Sequence, residues 1–412
     1  MKNLRSLQSL LARDAKQVDR RQFLRQGGGA VAAVAALSAF PGGFVSRARA
    51  ADGTIVVGFI TSMSGAVSSL GIPYDQGMKA ALAFKSQVGG KSVKLIALDD
   101  ASDPTNAAVN ARKLIQENNV DVIIGTAGSP GSLAIATVCA ETKTPLICIA
   151  NADPQGEPGA WTVTVPQPAP LMIAGAVAHM KQTGVKSVGY MGFADPWGDL
   201  VYNALMQSGP EAGIKVTSNE RYARADTSVT GQALKVFATR PDVFMAGGSG
   251  TPGALPYLAL RERGYKGQFY GTPAIINPAF VKVGGAAVEG LIASTGPVVV
   301  FEQLPDSNPT KAVSREFAKA LKATVPDAVP NAFSGYSFDA WVLFVAAAEI
   351  AIKTAEPGTA QFKLALRDAL TNAHDVVGSH GVYNFKPGSR YGNDERSRVL
   401  VKLEKGDWQL MS

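Results

Sequence analysis

The stretch Thr54-Ile55-Val56-Val57-Gly58-Phe59-Ile60-Thr61-Ser62-Met63-Ser64-Gly65-Ala66-Val67-Ser68-Ser69-Leu70-Gly71 decides how the rest of the chain is read. Its first half is an apolar run with β-branched bias, the signature of a buried strand. Its second half is a loop of small hydroxyl residues closed by glycines. A helix is expected from 73 to 88, because proline suits a first helical turn. Strand, polar small-residue loop and helix N-terminus in that order place hydroxyls and free backbone N–H groups where an open α/β sheet binds ligands. An ordinary βα connection would look the same, so the stretch fixes the architecture and leaves the ligand open.

Outward from it, strands and helices alternate. Strands are expected at 55–60, 93–98, 120–124 and 145–149, and helices at 104–118 and 132–141. The strands read as continuous apolar runs, which implies a parallel sheet covered on both faces. Residues 151–170, rich in Pro and Gly, break the rhythm. It restarts with helices at 169–183, 197–212, 230–239, 253–263 and 277–283, between strands at 187–191, 215–221, 243–246, 268–270 and 290–294. A second break spans 296–309. Helices at 311–323, 338–353 and 361–371 follow, then strands at 382–385 and 397–403, expected to pair antiparallel. The late helices need a sheet to cover, so the chain is expected to return to its first lobe and to end in the second. The boundaries are 51–167 with 297–377 for lobe one and 168–296 with 378–412 for lobe two. Three crossings between lobes make a hinge over a cleft.

The first fifty residues read as a leader. Asp19-Arg20-Arg21-Gln22-Phe23-Leu24-Arg25 is a twin-arginine pattern, followed by a weakly apolar stretch and by Ala48-Arg49-Ala50, a small-x-small cleavage site. The chain holds 40 basic and 33 acidic residues, nine and two of them in residues 1–50, so 31 of each remain. A mature charge of zero gives no electrostatic footprint for nucleic acid. The expected location is the periplasm. Cys139 and Cys148 are read as buried free thiols, with a disulfide as the alternative.

Catalytic machinery is sparse. His179, His374 and His380 lie outside the expected strand-to-helix loops, and His374 and His380 lack a metal-ligand spacing. Asp99-Asp100 ends a strand, but Asp103-Pro104 follows at once, which favours a loop-and-cap role over acid–base work. Neither cofactor nor metal is expected. The strand-end loops instead carry hydroxyls, free N–H groups and one large aromatic, Trp197, suited to holding a carboxylate against an apolar wall.

Together, the segments 61–82, 99–115, 121–134, 145–154 and 194–202 resemble the type I periplasmic solute-binding proteins of ABC importers, in the branched-chain amino acid group. The resemblance covers about residues 53–410. It implies an α/β fold of two lobes, each a parallel sheet flanked by helices, joined by three hinge crossovers and closing on a ligand without catalysis. It implies a membrane permease as partner, and a monomer. By matching loops it assigns ligand contacts to Ala127, Gly128 and Ser129, to Ala150, Asn151 and Ala152, to Leu70 and to Trp197. In lobe two, Gly248 and Ser249, and Thr272 and Pro273, occupy the other cleft-facing loops. One departure matters: amino acid binders of this family hold the α-ammonium with an acidic residue, and neither 271–275 nor 247–251 contains one. A buried ammonium without a counter-charge is costly. The expected ligand is therefore an aromatic or hydrophobic carboxylate, unless Asp195 supplies the charge. Alternatives are an amino acid binder, a ligand sensor of the same fold, and an exported α/β hydrolase.

Overall fold

The computed structural model describes residues 53–411, so the leader expected at 1–50 lies outside the described residues. The first sheet has six strands: β1 (Ile55–Thr61), β2 (Gln87–Val88), β3 (Lys91–Asp99), β4 (Val122–Gly125), β5 (Leu146–Cys148) and β6 (Thr162–Thr164), in the order β2-β3-β1-β4-β5-β6. β1 pairs parallel with both β3 and β4 and is buried at all seven positions, as its apolar run requires. β3 departs from the expected continuous burial. It sits one strand from the sheet edge, and its side chains alternate between partly buried and exposed.

Helices α1 (Ser68–Phe84), α2 (Pro104–Gln116) and α3 (Ser129–Glu141) follow β1, β3 and β4. α1 begins five residues before the expected start and leaves Pro73 inside the helix. The reason is local closure of the loop: the Leu70 and Gly71 amides both donate to the Val67 carbonyl, at 2.9 and 3.1 Å. Gly71 packs on the Ser62 carbonyl, where a Cβ would lie 1.7 Å from oxygen. The expected tail of that helix is β2, which turns back onto β3 through Gly89 and Gly90, both at positive φ.

After α4 (Gly156–Ala160) and the first crossing, α5 (Ala169–Gln182) leads into the second sheet. Its strands are β7 (Ser187–Phe193), β8 (Lys215–Val216), β9 (Glu220–Tyr222), β10 (Val243–Gly247), β11 (Gln268–Gly271) and β12 (Ile292–Thr295). The strand expected at 215–221 is thus two short pieces, each paired parallel with β7. Helices α6 (Pro196–Glu211), α7 (Thr230–Ala238), α8 (Leu255–Glu262) and α9 (Pro278–Gly284) flank this sheet.

After the second crossing, α10 (Lys311–Thr324), α11 (Ala332–Ala351) and α12 (Ala360–Thr371) return to the first sheet's side, and α10 and α11 both pack on α1. α11 is buried nearly all round, so it serves as a core helix. The end of the chain differs from expectation. β13 (Val376–Val377) pairs with β14 (Val382–Tyr383), whereas β15 (Val399–Glu404) pairs antiparallel with β12 and with β16 (Asp407–Leu410). Between them, the chain stays against the first sheet: the Thr164 amide donates to the Arg390 carbonyl, and Asn393 Nδ2 to the Val165 carbonyl. The third crossing therefore falls between 393 and 399, later than 378. The Arg390–Asp153 ion pair holds this strap in place.

Candidate functional site

The carboxyl ends of both parallel sheets face one another across a cleft, where such sheets place their ligands. On the first-sheet side, the two aspartates at the end of β3, Asp99 and Asp100, knit the loops together. Asp100 accepts from Ser62 Oγ at 2.6 Å, Thr126 Oγ1 at 2.5 Å and the Ser102 amide at 2.9 Å. Asp99 accepts from the Met63 and Ala101 amides and from Ser64 Oγ. Burial would raise the Asp99 carboxyl, but these hydrogen bonds hold it below its ordinary range. Both carboxylates are scaffold, as the turn sequence suggested, and neither is free for proton transfer.

Those fixed loops present Ala127, Gly128 and Ser129 at the start of α3, and Ala150 and Asn151 after β5. Ser129 Oγ donates to the Asn151 carbonyl, and Asn151 Nδ2 donates to the Gln167 carbonyl at 2.7 Å. The Gly128 and Ser129 amides have no partner among the described residues, as expected for the first N–H groups of a helix. From α1 come Leu70 and Tyr74, and from the first turn of α11 come Phe333 and Tyr336. Asn331 caps that turn by accepting from the Phe333 and Ser334 amides. Tyr74 and Phe333 meet edge to face at 5.4 Å. Both tyrosine hydroxyls are turned into the protein: Tyr74 donates to the Ile149 carbonyl and Tyr336 to Gln167 Oε1. Burial pushes both phenols up, so they remain protonated donors.

On the second-sheet side, Asp195 caps α6 by accepting from the Trp197 and Gly198 amides at 2.9 and 3.2 Å. Its other oxygen accepts from Arg224 Nε at 2.5 Å. Arg224 Nη1 donates to Ser249 Oγ at 3.1 Å, and the guanidinium lies 4.5 Å over the Phe193 ring. Trp197, 5% exposed, donates its indole N–H to the Gly248 carbonyl at 3.2 Å. Pro273 and Ala274 complete the wall. The two sides touch: the Thr251 amide donates to Ser69 Oγ at 3.1 Å. Gly250, at φ 56°, lets its backbone approach Leu70 so closely that a Cβ would sit 2.3 Å from Leu70 Cδ1.

Between these walls lies a cavity of about 40 Å³, lined by Leu70, Tyr74, Ala127, Gly128, Ser129, Ala150, Asn151, Pro166, Trp197, Arg224, Ser249, Pro273, Ala274, Phe333 and Tyr336. Gly128 and Arg224 also line a second hollow of about 320 Å³ that continues from it past Asp100, Thr126 and Asp195. Nine of the twelve residues expected from sequence line the inner cavity. Ala152, Gly248 and Thr272 stand just behind it. Ala152 and Gly248 offer their carbonyls to Tyr391 and Trp197, and the Thr272 hydroxyl accepts from the Ala274 amide. A larger groove of about 620 Å³ runs beside Asn277, Lys282, Val329 and Trp408, but few of the strand-end loops reach it. Among the described residues no group of three or more His, Cys, Asp or Glu is placed to hold a metal ion.

Arg224 is not among the cleft residues expected from sequence. Its signal is a basic residue just past the strand expected at 215–221, but no loop pattern marks that position as part of the cleft. Tyr74, Phe333 and Tyr336 lie on helices, where aromatic residues read as core. Asp195 is not available to an ammonium: one oxygen caps α6 and the other holds Arg224. Cys139 and Cys148 are both free and buried.

A family model described as periplasmic binding protein matches residues 54–391. The chain is 23% identical over 292 residues to the Leu/Ile/Val-binding protein homolog 2 of Brucella abortus, covering 69% of this chain and 75% of that one. An extracellular ligand-binding receptor from Rhodopseudomonas palustris HaA2 is 39% identical, with a TM-score of 0.84 over 87% of this chain and 100% of its own. A solute-binding protein of an R. palustris ABC transporter, in complex with benzoate, shares the fold at 19% identity, with a TM-score of 0.73 over 87% of this chain and 96% of its own. With two α/β lobes, a cleft lined from both and a family match over most of its length, this chain belongs to the periplasmic binding protein family, a family of solute-binding proteins and not of enzymes.

Proposed function

We propose that this protein captures a small carboxylate with an aromatic or apolar body in the interlobe cleft and delivers it to the permease of an ABC importer. The observation that carries the reading is Arg224. Among the described residues it is the only charged side chain lining the inner cavity, and no unengaged carboxylate faces it. An anion there meets the guanidinium, the Ser249 hydroxyl and the unpartnered Gly128 and Ser129 amides, a charge-assisted set. The body of the ligand lies among Leu70, Tyr74, Trp197, Phe333 and Tyr336. An α-ammonium would be desolvated beside a guanidinium with no acid to pair with. The benzoate bound by a relative of this fold supports the same ligand class. With the lobes touching, the cavity is smaller than an aromatic ring, so the ligand enters only after the lobes part.

The test is a thermal-shift screen of residues 51–412 against amino acids and against aromatic and aliphatic carboxylates, followed by calorimetry on the hits. Ligands of the folded state raise the melting temperature by mass action. Shifts confined to carboxylates without an amine are expected. A shift with leucine and none with benzoate would overturn the reading.

A further inference from the structure

Gln167 lies in the first crossing between the lobes and is fully buried. Its Oε1 accepts from Tyr336 Oη at 2.8 Å. Its Nε2 donates to the Ser397 carbonyl, in the third crossing, at 2.8 Å, and lies 3.4 Å from His380 Nδ1. Its backbone carbonyl accepts from Asn151 Nδ2. The second crossing begins at Gly296, which fits only without a side chain: a Cβ there would lie 1.9 Å from His380 Nδ1 and 2.6 Å from Gln167 Nε2. His380, also fully buried, stacks on the Tyr336 ring at 3.9 Å and 14°, and its Nε2 is 2.8 Å from the Ala332 carbonyl. All three crossings thus converge on one amide side chain, which holds Tyr336 of the cavity wall, while the Gln167 backbone carbonyl holds Asn151.

We infer that Gln167 is a positioning residue that couples the ligand-facing Tyr336 to the hinge, so that filling the cavity and closing the lobes are one event. The inference rests on the interlobe cavity being the ligand site. The physical ground is that rotation about the crossings must move Gln167 relative to Ser397 and Gly296. The Tyr336 hydroxyl and the His380 stack give that motion a path to the cavity wall. A ligand pressing on Tyr336 therefore has a different free energy in the open and closed arrangements, as any ligand that shifts a two-state equilibrium must. A residue that only filled space would lack this path.

The experiment is a double-mutant cycle. Tyr336→Phe keeps the ring and the stack but removes the hydroxyl. Gln167→Leu keeps the volume but removes both amide bonds. Benzoate affinity is measured by calorimetry, and lobe closure by energy transfer between dyes on Lys113→Cys and Lys215→Cys, one on each lobe, at a temperature well below each variant's Tm. We expect each single variant to lose at least fivefold in affinity and to populate the closed form less at saturating benzoate. The double variant should bind no more weakly than the worse single. Losses that multiply, or a lowered Tm with unchanged affinity and closure, would overturn the inference. If benzoate fails to bind even the unsubstituted protein, the functional reading falls. The dye pair still decides the coupling: a ligand-free distribution shifted alike in Gln167→Leu and Tyr336→Phe upholds the link between Tyr336 and the hinge, and one unchanged in Tyr336→Phe overturns it.

Discussion

Replacing Arg224 with methionine removes the guanidinium while keeping a chain of similar length. A hydrogen bond to a charged group contributes about 1.5–3 kcal/mol. Arg224 is 17% exposed and Asp195 15%, so solvent screens this corner little. Removing the cation also leaves the Asp195 carboxylate facing the incoming anion, which pushes the loss toward the upper end. At about 1.4 kcal/mol per tenfold change, a loss of about 2–3 kcal/mol is roughly 30- to 150-fold weaker binding. Calorimetry with benzoate at pH 7 reads this directly, with the thermal midpoint as the check on folding. Arg224→Lys, which keeps the charge without the fork, should fall between. Asp195→Asn should go the other way: Oδ1 still caps α6, while the guanidinium loses its internal anion and binds the ligand's more tightly. Affinity of Arg224→Met within threefold of the unsubstituted protein would rule out an anion at this guanidinium, because a desolvated anion cannot lose its cation at so little cost.

Trp197→Ala should weaken benzoate by about 1–3 kcal/mol in the same assay, since the ring is a buried wall of the cavity. Gly250→Ala places a methyl group against Leu70 and strains a positive φ, so lobe closure measured by small-angle scattering should be impaired more than the melting temperature. Burial pushes His380 down to about 3, whereas an unfolded histidine takes up a proton near pH 6.5. The unfolded chain then binds more protons between those values, so this group costs stability as pH falls from about 6.5 toward 3. Asp339, raised by burial to about 6, acts oppositely over roughly pH 4–6. His380→Gln should therefore gain stability relative to the unsubstituted protein as the pH is lowered from 7 to 4, read from urea midpoints. Burial raises the Cys139 thiol strongly and Cys148 to about 11. Neither should react with a thiol reagent at pH 8 until the protein unfolds, whereas a native disulfide would leave no thiol to appear even then.

The lobe-one loops were legible because each is local. β1, its hydroxyl loop and the start of α1 are contiguous, and Asp103 caps α2 within the motif that announced it. Trp197 was legible for the same reason, two residues after its cap. The third crossing was misplaced because β14 and β15 look alike as short apolar runs, and only their partners separate them. β14 closes on β13 nearby, while β15 completes a sheet whose next strand lies more than a hundred residues earlier.

The amino-acid sequence alone sets the layers and the loops: apolar runs of strand length alternating with helices leave few other ways to bury both faces of a sheet. It also determined that the cleft lacks an acid in the loops where an ammonium partner would be expected. The other half of the cavity, and its charge, came from tertiary packing. Tyr74 and Phe333 stand 259 positions apart and meet because α1 and α11 pack together. Asp195 and Arg224 pair across 29 residues, which turns the one fallback ammonium partner into the brace of a cation. Such pairings depend on which surfaces the fold presses together. A hydrophobic pattern specifies that a face is buried; it does not specify against what.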